Sequence, residues 1–239
     1  MKRLGINIDH VATIRNARAS VHPDPLQVAK YVAKCGANSI TIHLREDRRH
    51  INDNDVKKIR GNKKILVNLE ISLNNEIVKI ALKNKPNFVC LVPENRKEIT
   101  TEGGLSLSKY KKKIKGIISK FKNKNIRTSL FIDPKIQDII IAKKLGADCI
   151  ELHTGRISNL VKEKKSFFKE LKKIKKCCFV AKKVGLEVHA GHGLDYKTTS
   201  ILSKIKEIEE FNIGHFIIGE AITYGLKKTV KKFKIISNQ

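Results

Sequence analysis

Short apolar runs rich in β-branched residues recur along the chain, separated by stretches whose apolar positions fall three and four residues apart, so strands and amphipathic helices alternate. Eight runs read as strands: Leu4–Asp9, Ser39–His43, Ile65–Glu70, Phe88–Val92, Thr128–Ile132, Cys149–His153, Glu187–Ala190 and Glu209–Ile213. Phe216–Ile218 competes with the last of these as an extended segment. Each intervening stretch is long enough for the crossover that parallel strands require.

The punctuation of the crossovers repeats. Asp24 can cap a helix with Pro25 at its first position, and Gly36 can close it; Asp133-Pro134 and Gly146 have the same arrangement in the fifth crossover. Gly36-Ala37 stands seven residues before His43, and Gly146-Ala147 seven before His153, each pair leading through an apolar strand. Eight units of one βα design in 239 residues, with no low-complexity linker, predict the α/β class. The predicted fold is a (β/α)8 TIM barrel with extra short helices, residues 1–239 forming one catalytic domain.

In such a barrel the loops after the strands build the active face, and the polar residues gather there. Strand one leads to Asn7, Asp9 and His10, strand two to His43, Arg45, Glu46 and Asp47, and strand three to Asn68 and Glu70. Strand four runs into Pro93, Glu94 and Arg96 and then Thr100-Thr101-Glu102-Gly103-Gly104; strand six ends in Glu151, His153, Thr154 and Gly155. Strands seven and eight deliver Gly191-His192-Gly193 and Gly214-His215. Buried ionisable groups are costly unless paired, so this convergence points to chemistry rather than core packing. His43 and Glu70 are the natural general acid/base candidates. The two glycine-bearing segments suit an anion, because glycine lets backbone N–H groups approach it closely, and the second opens a helix.

Composition changes the picture in three places. No apolar run approaches the roughly 20 residues of a membrane-spanning helix, and no signal-like stretch precedes the first strand, so a cytoplasmic location without membrane attachment is expected. Five cysteines with no C-x-x-C pair point to reduced, mostly buried thiols. The net charge of +27 would ordinarily suggest a polyanionic partner, but it is carried by lysines on amphipathic stretches such as Lys109–Lys124, where Ile114, Ile117, Ile118 and Phe121 keep an apolar stripe. That is the pattern of solvated helix faces, and no nucleic-acid partner is expected. Arg15, Arg18, Arg45, Arg48 and Arg49 instead cluster in the first 49 residues and suggest phosphate or carboxylate recognition. There is no H-x-H or H-E-x-x-H spacing, so no metal site is expected, although ligands from separate strands could still converge.

The ordered segments Asn7-Ile8-Asp9-His10-Val11-Ala12-Thr13, His43-Leu44-Arg45-Glu46-Asp47-Arg48-Arg49-His50, Asn68-Leu69-Glu70, Glu151-Leu152-His153-Thr154-Gly155, Ala190-Gly191-His192-Gly193-Leu194 and Asn212-Ile213-Gly214-His215 closely resemble the pyridoxine 5'-phosphate synthase family. The likeness runs from Leu4 to the final helix and also takes in Val92-Pro93-Glu94 and Thr100-Thr101-Glu102-Gly103-Gly104. It implies a vitamin B6 biosynthetic transferase that condenses 1-deoxy-D-xylulose 5-phosphate with 3-amino-2-oxopropyl phosphate, without a cofactor, as a homo-oligomer, commonly an octamer. By the same resemblance His43 and Glu70 are proton acceptors, His192 a proton donor and Glu151 a stabiliser of charged intermediates. Asp9, His10, Arg45, His50 and Thr100 would hold the deoxyxylulose phosphate; Asn7, Arg18, Gly193, Gly214 and His215 would hold the amino ketone phosphate. His189 departs from the family pattern, where Asn is common, and a basic residue is frequent near Glu220.

Two other readings stay open on the residues alone. One is a different barrel enzyme acting on phosphorylated sugars, an aldolase or epimerase, although no candidate strand ends in the lysine that a Schiff-base aldolase needs. The other is a polyanion-binding protein, against which the few aromatics and dispersed basic residues count.

Overall fold

A computed structural model describes residues 1–94 and 103–239. Eight parallel strands close into a barrel in sequence order: β1 Arg3–Asn7, β2 Ser39–Leu44, β3 Val67–Ile71, β4 Phe88–Leu91, β5 Arg127–Ile132, β6 Cys149–His153, β7 Glu187–Gly191 and β8 Ile208–Ile213. All eight expected strands are present. The first stops two residues early, so Asp9 and His10 open a helix instead of ending a strand.

The described helices are α1 Asp9–Ala17, α2 Pro25–Lys34, α3 Asp53–Gly61, α4 Asn75–Asn84, α5 Lys111–Lys122, α6 Ile136–Leu145, α7 Gly155–Lys162, α8 Phe168–Lys183, α9 Tyr196–Ser203, α10 His215–Tyr224 and α11 Leu226–Ile236. The extra helices follow β1, β6 and β8, where the connection carries two helices instead of one. Phe216–Ile218 lies in α10, and the strand of this unit is the Ile208–Ile213 run. As expected, α5 turns Ile114, Ile117, Ile118 and Phe121 inward and its lysines outward.

Local chemistry explains several boundaries. Asp24 accepts from the Leu26 N–H at 3.0 Å with Pro25 behind it, starting α2, and Asn52 and Asp55 cap α3 reciprocally. Asp133 does not open α6, which starts at Ile136 without a side-chain cap. Asp133 accepts from Gly104 N at 3.0 Å and faces His153 Nδ1 at 3.5 Å, because its place at the end of β5 points it to the neighbouring loops. The strands also share a register device. Asn38, Asn87 and Asp148, each just before a strand, accept from the backbone N–H of Leu4, Val67 and Thr128 on the preceding strand, at 2.8 to 3.0 Å.

Alternation along the strands separates two interiors. One set of positions, including Leu4, Ile6, Ile40, Ile42, Leu69, Leu130, Ile150 and Val188, is buried in the main core between sheet and helices. The other set fills the barrel lumen and is largely polar: Asn7, Thr41, His43, Asn68, Glu70, Ser129, Glu151, His189, Glu210 and Asn212. The lumen's apolar content is a small separate cluster of Cys90, Val92 and Phe131. The protein is therefore held together by its outer layer, which leaves the inner layer for chemistry. Four of the five thiols are buried and all five are free. Among the described residues, no helix is long and apolar enough to cross a membrane.

Candidate active site

A cavity of about 310 Å³ opens at the C-terminal mouth of the barrel. Asn7, His10, Glu70, Glu151, His192, Gly193, Gly214 and His215 line it, brought from five strand ends. Asp9, His43, Arg45 and His50 form an adjoining wall. Asp9 Oδ1 accepts from the backbone N–H of His43 at 2.9 Å and its Oδ2 from Asn7 Nδ2 at 2.8 Å, so the carboxylate ties β1 to β2. His43 Nδ1 lies 3.9 Å from Glu70 Oε2, as the register pairing of His43 with Glu70 requires. Its Nε2 is 3.7 Å from Glu94 Oε2, and both atoms are buried without a hydrogen-bond partner. Arg45 reaches Asp47 and Glu94. Thr100 lies outside the described residues. Arg18 is exposed at the end of α1 and does not line the cavity.

Electrostatics divide the carboxylates. Burial, reinforced by the charges of Glu151 and Asp9, pushes Glu70 well above the carboxylate range, which favours its neutral form. Burial also raises Glu151, to about 7, against the opposing pull of the His189 charge and the hydrogen bond from Asn212 Nδ2 to Glu151 Oε2, 2.7 Å long. Glu94 moves the other way, since His43 and Arg45 outweigh the cost of its burial. Two carboxyl groups raised by burial, Glu70 and Glu151, thus share one pocket.

Three histidines of the site are shifted toward the neutral form. Burial, helped by His153 and Lys162, lowers His192 to about 4. Burial also lowers His10 and His50, and His50 Nδ1 accepts from Ile51 N at 2.9 Å, leaving Nε2 to carry the ring proton. The turn after β7 is strained at His192, whose φ is +76°, while Gly193 adopts the same φ without penalty. Gly191 has a different reason to be glycine. A Cβ there would stand 2.0 Å from Glu151 Oε1, so the missing side chain is the space the carboxylate occupies.

Among the described residues, two sets of donor atoms come within 4.8 Å of one another: Asp9 with His43 and His50, and Cys149 with Glu187 and His189. In the first, Asp9 already accepts from His43 N and Asn7; in the second, Glu187 is bonded to Arg3, Arg127 and His189.

Three of the early arginines prove structural. Arg15 makes a two-pronged pair with Asp55, at 2.7 and 2.9 Å, and also donates to the carbonyl of His50. Arg48 binds Asp53 and Glu76, and Arg49 binds Asp47. Distant carboxylates, Asp55 and Glu76, engage Arg15 and Arg48, which local sequence does not show, whereas Asp47 and Asp53 act on Arg49 and Arg48 from within a few residues. Among the cavity residues given no role from sequence are Asn212, Phe131 and Lys162. Alternation on β8 could have found Asn212, which shares the inward face with Glu210 and Gly214. Lys162 stands at the far end of α7 and left no signal among so many lysines.

The closed parallel barrel, with titratable side chains and glycine-bearing turns converging at its C-terminal mouth, defines a (β/α)8-barrel enzyme. A family model described as "Pyridoxal phosphate biosynthesis protein PdxJ" matches residues 4–239, and the chain belongs to that family. It is 71% identical over 239 residues to a pyridoxine 5'-phosphate synthase of Pelagibacter ubique, covering all of both chains. It is also 48% identical over 234 residues to one of Zymomonas mobilis, covering 98% of this chain and 91% of that one. Among solved structures, an aldolase described as 4-hydroxy-2-oxoglutarate aldolase/2-deydro-3-deoxyphosphogluconate aldolase superposes with TM-score 0.64 at 10% identity, covering 98% of this chain and 93% of that one. The tryptophan synthase A-subunit of Pyrococcus furiosus gives 0.61 at 13%, covering 98% and 97%. These structural likenesses speak to the fold alone.

Proposed function

We propose that the protein is a pyridoxine 5'-phosphate synthase, a transferase that condenses 3-amino-2-oxopropyl phosphate with 1-deoxy-D-xylulose 5-phosphate to give pyridoxine 5'-phosphate, phosphate and water. The observation that carries the reading is the meeting of Glu70, Glu151 and His192 in one cavity beside the backbone turns at Gly193 and Gly214. Imine formation, enolisation and the losses of water and phosphate are all proton transfers, and the cavity holds proton carriers of different strength.

The amine substrate enters a pocket where Glu70 is protonated and Glu151 titrates near neutrality. A cationic amine or iminium there favours loss of the Glu70 proton, turning it into the base that, with His43, accepts protons from the substrate carbons. Glu151 balances the positive charge of the intermediates. His192 starts neutral, and a phosphate dianion bound beside Gly193 raises its affinity for the proton it later donates. Asn7, Gly193, Gly214 and His215 hold the amino ketone phosphate, the last two at the N-terminus of α10, where partial positive charge and open N–H groups suit an anion. Asp9, His10, Arg45 and His50 hold the sugar phosphate, with Thr100 completing that set. The protein acts in the cytoplasm as a homo-oligomer, an octamer by resemblance to its family.

The direct test is to incubate the purified protein with both substrates and follow pyridoxine 5'-phosphate by absorbance and mass. Product that requires both substrates is expected, and a folded protein that makes none overturns the proposal. Gly191→Ala tests the placement of Glu151. The new methyl group meets only the mobile end of that side chain at short range, so the fold is expected to persist while the carboxylate is displaced from Asn212. A misplacement of about 1 Å costs on the order of 100-fold in rate. Wild-type kcat in this variant would remove Glu151 from the reaction.

A further inference from the structure

Beneath the cavity the lumen carries a second polar layer that the proposed reaction does not use. Arg3 of β1 binds Glu210 of β8 at 2.7 Å and also contacts Glu187 of β7, while Arg127 of β5 binds Glu187 at 3.0 Å and donates to Cys149 Sγ at 3.0 Å. His189 sits at the centre of this layer. It is buried, its Nε2 is 2.7 Å from Glu187 Oε1, and its Nδ1 is 3.8 Å from Glu210 Oε1. In the strand register His189 has Glu151 on one side and Glu210 on the other.

We propose that His189 is a buried imidazolium and the counter-cation of Glu151, a positioning residue that keeps this carboxylate ionised from the layer below the active site. Three lines support it. First, the short contact assigns the Nε2 proton to Glu187, since Arg3 is farther away at 3.4 Å and has acceptors of its own. An unprotonated Nδ1 would then turn its lone pair toward the Glu210 carboxylate, whereas a second proton there converts repulsion into attraction. Second, Arg3 and Arg127 are already paired with Glu187 and Glu210, so a charged His189 is the cation this layer can turn toward Glu151. Third, hydrogen bonding with Cys149 and with Glu187, and then the Glu210 carboxylate, raise His189 to about 10 despite its burial, and its charge in turn pulls Glu151 downward. Cys149, the remaining neighbour, accepts from Arg127 at 3.0 Å.

The sign of the effect follows. A cation beside Glu151 favours its anion, so removing the cation raises the pH at which Glu151 ionises. This rests on the proposed role of Glu151, and two measurements separate the claims. Histidine 15N spectra of the full-length protein without substrate, assigned through the backbone, are expected to show both His189 nitrogens protonated near pH 7, above the ordinary histidine value. A neutral His189 there overturns the proposal whatever the enzyme does, and absence of synthase activity leaves this measurement untouched. In His189→Asn, the acidic limb of the kcat/KM profile is expected to move up by about one pH unit, a tenfold loss of rate on the acidic side with little change on the alkaline side. His189→Gln should do the same, and both should be silent in a Glu151→Gln background. A folded variant with an unmoved profile, or one that loses rate equally at every pH as simple misplacement would, overturns the proposal.

Discussion

Glu70→Gln is expected to lower kcat by about a thousandfold while KM for both substrates stays within about threefold of the wild type. The amide copies the shape of the carboxyl group, and it also copies its resting charge, because burial and the charges of Glu151 and Asp9 keep Glu70 protonated before substrate arrives. Binding, which meets the neutral form, should therefore survive. Proton transfer cannot, since the amide neither takes up nor releases a proton at neutral pH. Steady-state kinetics with each substrate varied in turn make the distinction. A large rise in KM at preserved kcat would make Glu70 a binding group, and full activity would remove it from the mechanism.

The second large effect falls on stability. Arg15→Ala is expected to destabilise the fold by about 3–5 kcal/mol, because it strands the Asp55 carboxylate in a buried site. Both side chains are at most 10% exposed, and Asp55 has a further duty as the capping partner of Asn52 at the start of α3. For a protein of this size the loss corresponds to a fall in melting temperature on the order of 10 °C. Thermal and denaturant unfolding of the variant measure it directly. The same variant, assayed well below its transition, should bind both phosphorylated substrates nearly as well as the wild type, apart from loosening at the His50 carbonyl that Arg15 also supports. Weakened binding with undiminished stability would return Arg15 to the phosphate-binding set.

These two residues mark the boundary of what a linear reading reaches. Glu70 was legible because it ends an alternating strand, and alternation places strand-end polar residues at the mouth of any barrel. The same logic located Asn7, His43, Glu151, His192, Gly193, Gly214 and His215. Arg15 looked like a member of a phosphate-binding cluster because its neighbours in sequence are also basic. Its true partner lies 40 residues away on α3. Asp133 misled in the same way: Asp-Pro before an apolar run is a good helix opening, yet the carboxylate is taken by Gly104 and His153.

The sequence by itself determined the eight βα units, their order, the closed barrel and the end at which the chemistry gathers. Those properties follow from periodicity and local punctuation, which are written in nearest neighbours along the chain. Only the tertiary structure decided which charges are spent on one another and which stay available. Burial and opposite charge act through space, over a few ångströms and without regard to chain distance. The resting protons of Glu70 and Glu151, the silence of Arg15 and the charge layer around His189 come into being when strands far apart in sequence face each other across the lumen.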